Sequence, residues 1–202
     1  MIDIHTHLLP KIDDGPSTWE ESIEMLKEGQ EDGVREIILT PHILKNLDDH
    51  LEKEIRKRFV GLRKRAAAAG ISIKLHLGSE IYLQPDTNLD RGLSTLNENG
   101  KYFLVEFPMS SIPEYASLKL FEFVMDGFVP ILAHPERNAI ILRRPSQAYQ
   151  FVQMGILIQI NSGSLLGDFG QAVRATAFDL IEHNLVHLVA SDCHDANSRP
   201  LA

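Results

Sequence analysis

Short apolar runs alternate with longer amphipathic segments along the whole chain. The apolar runs predict seven strands, near residues 1–5, 35–40, 73–79, 102–106, 129–133, 156–160 and 186–191. Between them apolar residues recur every three or four positions, as in Leu51, Ile55, Phe59 and Leu62, which predicts helices. Strands that alternate with helices are typical of βαβ units around a parallel sheet. We therefore predict an α/β protein with a distorted seven-stranded (β/α)7 TIM-like barrel; an open doubly wound sheet is the alternative.

Capping and turn residues predict where the helices begin and end. Ser17-Thr18-Trp19-Glu20 has the form of a capping box, which would open the first helix. Asp48 precedes the second helix, and Pro113 suits the first turn of the third. Two more helices are predicted, at residues 146–154 and at about residues 165–183.

The composition describes one globular domain that spans residues 1–202. The chain is 44% hydrophobic and 24% charged, and 202 residues are enough to bury a full core. No apolar run reaches the ~18 residues of a membrane span, and no signal-type segment opens the chain, so we expect a cytoplasmic protein without membrane insertion. The single Cys193 leaves no intrachain disulfide. The net charge of -8 argues against a general grip on nucleic-acid phosphates.

Histidine and carboxylate side chains follow the apolar runs at their carboxyl ends. His5 and His7 lie two residues apart at the end of the first run, so they face the same way on a strand. Asp192 and His194 repeat this spacing after the last run. The carboxyl ends of parallel strands meet at one edge, so these side chains should converge there. The candidate metal ligands are His5, His7, Asp14, His42, Glu80, Glu106, His134, Asp192 and His194.

This candidate set predicts a multinuclear metal site. Five imidazoles and four carboxylates are too many for one ion, and the mixture suits Mn, Fe or Zn. Glu80 follows a Gly-Ser turn and is well placed to bridge two ions, a pairing that activates water and holds a phosphoryl group. Asp14 also fits an ordinary turn. The remaining histidines are expected to be structural or on the surface: His50, His76, His183 and His187.

Two arginines follow candidate ligands closely and could clamp a phosphoryl group. Arg137 comes three residues after His134, and a guanidinium fork matches a pair of phosphate oxygens. Arg199 also completes a Cys193-x5-Arg199 string, the spacing of cysteine-based phosphatases. The loop between them has no glycine, so we interpret that match as chance and expect the Cys193 side chain to point away from the ligands. The alternative is that both arginines are ordinary surface or helix-start residues.

Seven short motifs follow one another along the chain: His5-Thr6-His7, Leu8-Leu9-Pro10, Asp13-Asp14-Gly15, Thr40-Pro41-His42, Gly78-Ser79-Glu80, His134-Pro135-Glu136-Arg137 and Ser191-Asp192-x-His194. Taken in this order, they resemble the PHP (polymerase and histidinol phosphatase) superfamily over essentially the whole chain. Within it they resemble the bacterial manganese-dependent protein-tyrosine phosphatases of capsule and exopolysaccharide operons, of the CpsB/YwqE type.

The resemblance implies a distorted barrel that holds three divalent metal ions, expected to be Mn²⁺. It implies His5, His7, Glu80 and Asp192 on the first ion, Glu80, Glu106 and His134 on the second, and Asp14, His42 and His194 on the third. Arg137 and Arg199 match the phosphate-binding arginines of the family. The substrate would be a tyrosine-phosphorylated protein, a bacterial tyrosine kinase that controls polysaccharide synthesis. Such proteins usually continue with a further helical segment, so we expect a shortened chain or a covering partner beyond Ala202, and a homo-oligomer stays open.

Three alternatives to this function stay open. The first is a phosphatase for histidinol phosphate or another small molecule, although other PHP branches tend to carry histidines where Asp14 and Glu106 stand here. The second is an amidohydrolase on a similar metal barrel, but those enzymes commonly use a carboxylated lysine bridge where this chain has Glu80. The third is a non-catalytic metal-binding module that docks on a kinase or a polysaccharide-assembly protein.

Overall fold

The computed structural model describes residues 1–201, which form nine strands and seven α-helices. The strands are Ile2–Thr6 (β1), Glu36–Leu39 (β2), His42–Ile43 (β3), Lys74–Leu77 (β4), Glu80–Tyr82 (β5), Tyr102–Glu106 (β6), Val129–Ala133 (β7), Leu157–Asn161 (β8) and Leu188–Ala190 (β9). The helices are Trp19–Glu31 (α1), Asp49–Ala68 (α2), Ala116–Met125 (α3), Ala139–Arg143 (α4), Ser146–Gln153 (α5), Ser162–Leu166 (α6) and Gln171–Glu182 (α7). Ala202, beyond which a covering segment was expected, lies outside the described residues.

The strands form two parallel sheets, which confirms the α/β class. One sheet has the order β1-β2-β4 and the other has the order β3-β5-β6-β7-β8-β9. The predicted second and third strands correspond to β2 and β4, and each is followed, after Thr40-Pro41 and after Gly78-Ser79, by a short strand that the sequence did not predict, β3 and β5. Pro41 cannot donate to a ladder, and a Cβ on Gly78 would lie 3.1 Å from the Cα of Leu96. The seven predicted strands therefore do not form one continuous hydrogen-bonded sheet, and a closed seven-stranded barrel is not confirmed.

The two sheets approach each other again where the chain begins and where it ends. Thr6 and Cys193 form an isolated parallel bridge, and the Asp192 N–H donates to the carbonyl oxygen of His5 at 2.9 Å. The His7 N–H donates to the carbonyl oxygen of Cys193, also at 2.9 Å. These bonds bring the carboxyl end of β1 beside the segment that follows β9. The first and last candidate ligand pairs therefore become neighbours.

Buried apolar side chains hold each sheet against its helices. Leu26 of α1 and Ile55 and Leu62 of α2 are fully buried with Leu39 of β2. Burial of each such side chain contributes roughly 1.5–3 kcal/mol relative to leaving it in water. A second cluster around Phe103 of β6 packs under α3 and α5. The packing fixes the strands from outside, and the polar strand ends are left to form a site.

The helices differ from the sequence prediction at three places, one of which is that α3 begins at Ala116, so Pro113 precedes the helix and does not lie in its first turn. The capping box lies one residue later, because Thr18 Oγ1 accepts from the Glu21 N–H at 3.2 Å and the Ser17 N–H donates to the Glu21 carboxylate at 2.9 Å. The helix predicted at about residues 165–183 is wrong as one element. Gly167 and Gly170 adopt φ of 97° and 91° and separate α6 from α7. None of the helices in residues 1–201 is both long and apolar enough to cross a membrane.

Candidate metal centre

All nine predicted ligands lie in one cluster at the carboxyl ends of the strands. Their side chains form four overlapping groups in which one possible ligand atom from each residue lies within 4.8 Å of the others. The groups are His7, Asp14, His42 and His194; His5, His134 and Asp192; His5, His7 and Glu80; and His42, Glu80 and Glu106. The groups share members, so the cluster is continuous. The four histidines expected to be structural lie in none of these groups.

Strand register and unusual backbone angles aim the ligands inward. His42 pairs with Glu80 across the β3–β5 ladder, which places their side chains on one face. His134 and Asp192 follow β7 and β9 with φ of 33° and 55°, in the left-handed region that non-glycine residues rarely adopt. This backbone conformation turns each side chain back over the strand end. Strain of this kind persists only where the surroundings fix it, and it concentrates at functional sites.

Glu80 lies at the middle of the cluster, with four imidazoles around its carboxylate. Its Oε2 lies 3.2 Å from His5 Nε2, 3.3 Å from His7 Nε2 and 3.0 Å from His42 Nδ1. Its Oε1 lies 3.0 Å from His134 Nε2. Burial alone would raise the pKa of this carboxyl, but the charge of His5 and bonds from the surrounding imidazoles hold it well below its ordinary value. An ionised carboxylate with both oxygens among imidazoles suits a bridge between two cations.

The donor set fits a bound cation better than a network of hydrogen bonds. His5 Nε2 and His7 Nε2 lie only 3.1 Å apart, and His42 Nδ1 lies 3.0 Å from Glu80 Oε2 without hydrogen-bond angles. Lone pairs aimed at one shared point produce this arrangement. Four buried atoms of the cluster lack a hydrogen-bond partner among the described residues: His42 Nδ1, Glu80 Oε2, Asp192 Oδ1 and His194 Nε2. Unpaired buried polar atoms are costly, so a metal would satisfy them.

The pKa of three imidazoles of the cluster, those of His5, His7 and His42, is raised in the metal-free protein. Burial would lower the pKa of His5, but the charges of Glu80 and Asp192 outweigh it and raise the pKa to about 9. Burial likewise opposes the charged form of His42, and contact with Glu106 and Glu80 raises its pKa to about 11. Metal ligation needs neutral imidazole. A divalent cation would therefore take the place of these protons beside the same carboxylates.

The carboxylate of Asp13, which the sequence pattern did not single out, orients His7 from outside the cluster. Asp13 Oδ2 lies 2.8 Å from His7 Nδ1 and accepts from the His42 N–H at 3.1 Å. Burial opposes the charge on Asp13, but the His7 contacts outweigh it and lower the pKa to about 2. Asp13 stands next to the predicted ligand Asp14 in Asp13-Asp14-Gly15, so the adjacent carboxylate was the sequence signal for this role. Two buried amides on β8, Gln159 and Asn161, were missed as well.

Both predicted arginines lie at the edge of the cluster and contact the same carboxylate. Arg137 Nη1 and Arg199 Nη2 lie 3.0 Å and 2.5 Å from Asp192 Oδ2. The Arg137 guanidinium also lies 4.1 Å from the ring centroid of Phe169. Cys193 is fully buried, and burial raises the pKa of its thiol far above the ordinary value, so it does not provide a thiolate for catalysis. The arrangement leaves the arginines, rather than the thiol, beside the cluster.

Parallel sheets whose strand ends carry this buried set of imidazoles and carboxylates define a metalloprotein of the α/β class. The family model described as "Capsular polysaccharide synthesis, CpsB/CapC" matches residues 1–201. The chain belongs to the CpsB/CapC family.

Curated relatives and solved structures agree with this membership. The chain is 39% identical to the tyrosine-protein phosphatase YwqE of Bacillus subtilis over 98% of its length and 79% of the relative. It is 33% identical to the tyrosine-protein phosphatase CpsB of Streptococcus pneumoniae, over 99% of this chain and 85% of that one. A chain from the crystal structures of YwqE and CpsB, described as unique metal-dependent tyrosine phosphatases, superposes with a TM-score of 0.91 at 38% identity, covering 100% of this chain and 82% of the other.

A more distant structure shares the fold alone. The putative histidinol phosphatase hisK of Listeria monocytogenes matches with a TM-score of 0.57 at 11% identity, over 98% of this chain and 97% of the other. The two chains therefore share an architecture, and the chemistry has to be argued from the site.

Proposed function

We propose that this protein is a metal-dependent protein-tyrosine phosphatase. The observation that carries the proposal is the continuous cluster of nine ligands around Glu80 with two arginines at its edge. The relatives named tyrosine-protein phosphatases and the metal-dependent tyrosine phosphatase structure support the same activity. When bound, two or more divalent ions would supply an activated water and positive charge for in-line displacement at phosphorus.

The chain's own residues would bind and orient the phosphoryl group. Arg137 and Arg199 each have a guanidinium beside Asp192, from which they could turn to the equatorial oxygens of a bound phosphate. Positive charge held in place before the reaction stabilises the charge that develops in the transition state. The leaving phenolate has a pKa near 10, so its expulsion depends less on a general acid than that of an alkoxide.

The finer features of the proposal concern the ions, the sheet and the partner. We infer three ions, with Mn²⁺ preferred because imidazole ligands favour it over Mg²⁺. We infer that the two sheets are arcs of one distorted barrel, since Thr6 and Cys193 already bridge β1 to the segment after β9. The capsule-synthesis family supports a tyrosine-phosphorylated partner such as a bacterial tyrosine kinase.

A substrate panel tests the activity against its alternatives. The protein, stripped with EDTA and reloaded with Mn²⁺, would be assayed at equal concentrations of a phosphotyrosine peptide, a phosphoserine peptide, histidinol phosphate and an amide substrate. We expect the phosphotyrosine peptide to be turned over fastest and EDTA to abolish the activity. Faster turnover of histidinol phosphate would favour the small-molecule phosphatase, and cleavage of the amide would favour an amidohydrolase. Metal binding without any turnover would favour the non-catalytic module.

A further inference from the structure

The strand β8 ends without any of the nine ligands, yet it carries two buried amides. Gln159 and Asn161 are both fully buried and lie two residues apart on the strand, the spacing that brings side chains to one face. Buried amides are uncommon unless every polar atom has a partner. The partners of these two amides are therefore informative.

The two amides connect two candidate ligands in one chain of hydrogen bonds. Asn161 Nδ2 donates to Asp192 Oδ2 at 2.7 Å, and Gln159 Nε2 donates to Asn161 Oδ1 at 2.9 Å. Gln159 Oε1 lies 2.9 Å from His5 Nδ1. The chain thus runs from Asp192 through β8 to His5, and all four side chains are buried.

The carboxylate at one end fixes the direction of every bond in this chain. An ionised Asp192 can only accept, so the Asn161 atom that faces it has to be the NH₂ group. Asn161 Oδ1 then accepts from the Gln159 NH₂, which leaves Gln159 Oε1 to accept from His5 Nδ1–H. No independent choice of amide orientation or histidine tautomer remains. When His5 is neutral, as metal ligation requires, its lone pair is consequently on Nε2.

This direction of the hydrogen bonds leaves one atom at each end of the chain available to bind a metal: His5 Nε2 and Asp192 Oδ1. His5 Nε2 faces Asp192 Oδ1 at 3.3 Å and Glu80 Oε2 at 3.2 Å. Asp192 Oδ2 is used by Asn161, Arg137 and Arg199, whereas Oδ1 has no hydrogen-bond partner among the described residues. If the arginines turn to a bound phosphate, Asn161 is the donor that remains on Oδ2.

Hydrogen bonds to Glu136 hold the end of β8, separately from the side-chain amides. The Asn161 N–H donates to Glu136 Oε1 at 2.9 Å, and Ser164 Oγ donates to the same oxygen at 2.6 Å. Glu136 is fully buried, so water does not compete for these two hydrogen bonds. The end of β8 that carries Asn161 is therefore held by its backbone as well as by its side chain.

We propose that Gln159 and Asn161 are positioning residues of the metal centre, which hold His5 with its proton on Nδ1 and Asp192 with Oδ1 free, so that both ligand atoms face one ion. The proposal rests on the metal-binding roles proposed above for His5 and Asp192. Outer partners of this kind orient metal ligands and affect affinity without touching the ion.

Zinc affinity tests the amide chain without relying on activity. Gln159→Leu and Asn161→Leu should each weaken Zn²⁺ binding about 10–100-fold in a competition titration against a chelator. Gln159→Glu keeps an acceptor for His5 Nδ1–H but loses the donor to Asn161 Oδ1, so it should recover only part of the loss. The matched control is Gln30→Leu. Gln30 lies on α1, and its Oε1 accepts from the Ser72 N–H at 2.6 Å and from Ser72 Oγ at 2.9 Å, so this variant also removes an amide acceptor, but not one that contacts a candidate ligand. Thermal unfolding of the metal-free variants separates lost stability from lost affinity.

The tautomer of His5 provides a second test that needs no variant. Nitrogen-15 NMR of the zinc-loaded wild type should show the His5 proton on Nδ1 and the metal on Nε2. The reverse assignment, or wild-type zinc affinity in both leucine variants, would overturn the amide chain while leaving the proposed phosphatase intact. A wild type that binds no zinc would overturn the metal centre, and the amide chain with it.

Discussion

His5 and His7 occupy the same strand end, yet the surroundings of their outward ring nitrogens differ. The two Nε2 atoms lie 3.1 Å apart and face the same cluster. His7 Nδ1 lies 2.8 Å from the Asp13 carboxylate, whereas His5 Nδ1 lies 2.9 Å from the Gln159 amide. One histidine thus has a charged outer partner and the other a neutral one. Both kinds of partner orient the ring, but only the carboxylate adds negative charge.

The two regions also differ in their exposure to solvent. On the His7 side, the side chains of Asp14 and His42 are 64% and 20% exposed, although that of Asp13 is only 5% exposed. On the His5 side, Asp192 and Gln159 are almost completely buried. A further unpaired charge in the buried region would carry a large desolvation penalty, whereas an amide carries a smaller one. The site therefore has a half that is partly open to solvent and a buried half in which neutral amides set the geometry.

The largest effect should come from the residue that both halves share. Glu80→Ala should lower the metal content and reduce kcat/KM by about 1,000-fold, because its carboxylate contacts His5 and His7 at once. Metal analysis of the purified variant, together with the phosphotyrosine assay, measures both losses. Glu36→Ala is the matched control, since Glu36 pairs with His76 at 3.0 Å far from the cluster. Full metal content in Glu80→Ala would contradict the bridging role.

A smaller effect is expected from the arginines, which join the buried half through Asp192. Arg137→Ala and Arg199→Ala should each reduce kcat/KM by about 100-fold, because a donor aimed at developing charge is lost. Metal content should stay unchanged, since Asn161 still donates to Asp192 Oδ2.

The control for the arginines is Arg65→Ala. Arg65 lies 4.2 Å from the Trp19 ring centroid, as Arg137 lies 4.1 Å from that of Phe169, but it is remote from the ligands. Loss of metal in Arg137→Ala or Arg199→Ala would mean that the arginines maintain the ligands rather than bind substrate.

Removal of the charge on Asp13 tests the half of the site around His7. Asp13→Asn should weaken Zn²⁺ binding about 10–100-fold. The reason is that His7 Nδ1 loses its charged acceptor. Asp48→Asn is the control, because asparagine caps a helix as well as aspartate does and Asp48 caps α2. An unchanged affinity in Asp13→Asn would remove the distinction between the two halves.

The sequence predicted the clustering of the candidate ligands more completely than it predicted their supports. Candidate ligands such as His5 and Glu80 end apolar runs, and parallel strands place those ends together, so the pattern was sufficient to predict the cluster. The left-handed backbone at His134 and Asp192 depends on tertiary packing, which no local pattern reports. Gln159 repeats the i, i+2 spacing of the histidines with Asn161, but an amide has no metal preference that would single it out. At Pro41 the sequence predicted only that a strand ends, and it did not predict that β3 begins at His42 in the other sheet.

The smallest effect should come from Cys193, which lies between Asp192 and His194 but faces the opposite way. Its side chain is buried in the apolar cluster with Leu8 and Leu201, so it contacts neither half of the site. Cys193→Ser should keep kcat/KM close to wild type, because the proposed hydrolysis uses water as the nucleophile. A buried hydroxyl without a good partner should still lower the free energy of unfolding by about 1–3 kcal/mol, and Cys193→Ala separates that loss from the chemistry. If both variants stayed folded and lost about 100-fold in kcat/KM, a thiolate mechanism would replace the metal-activated water.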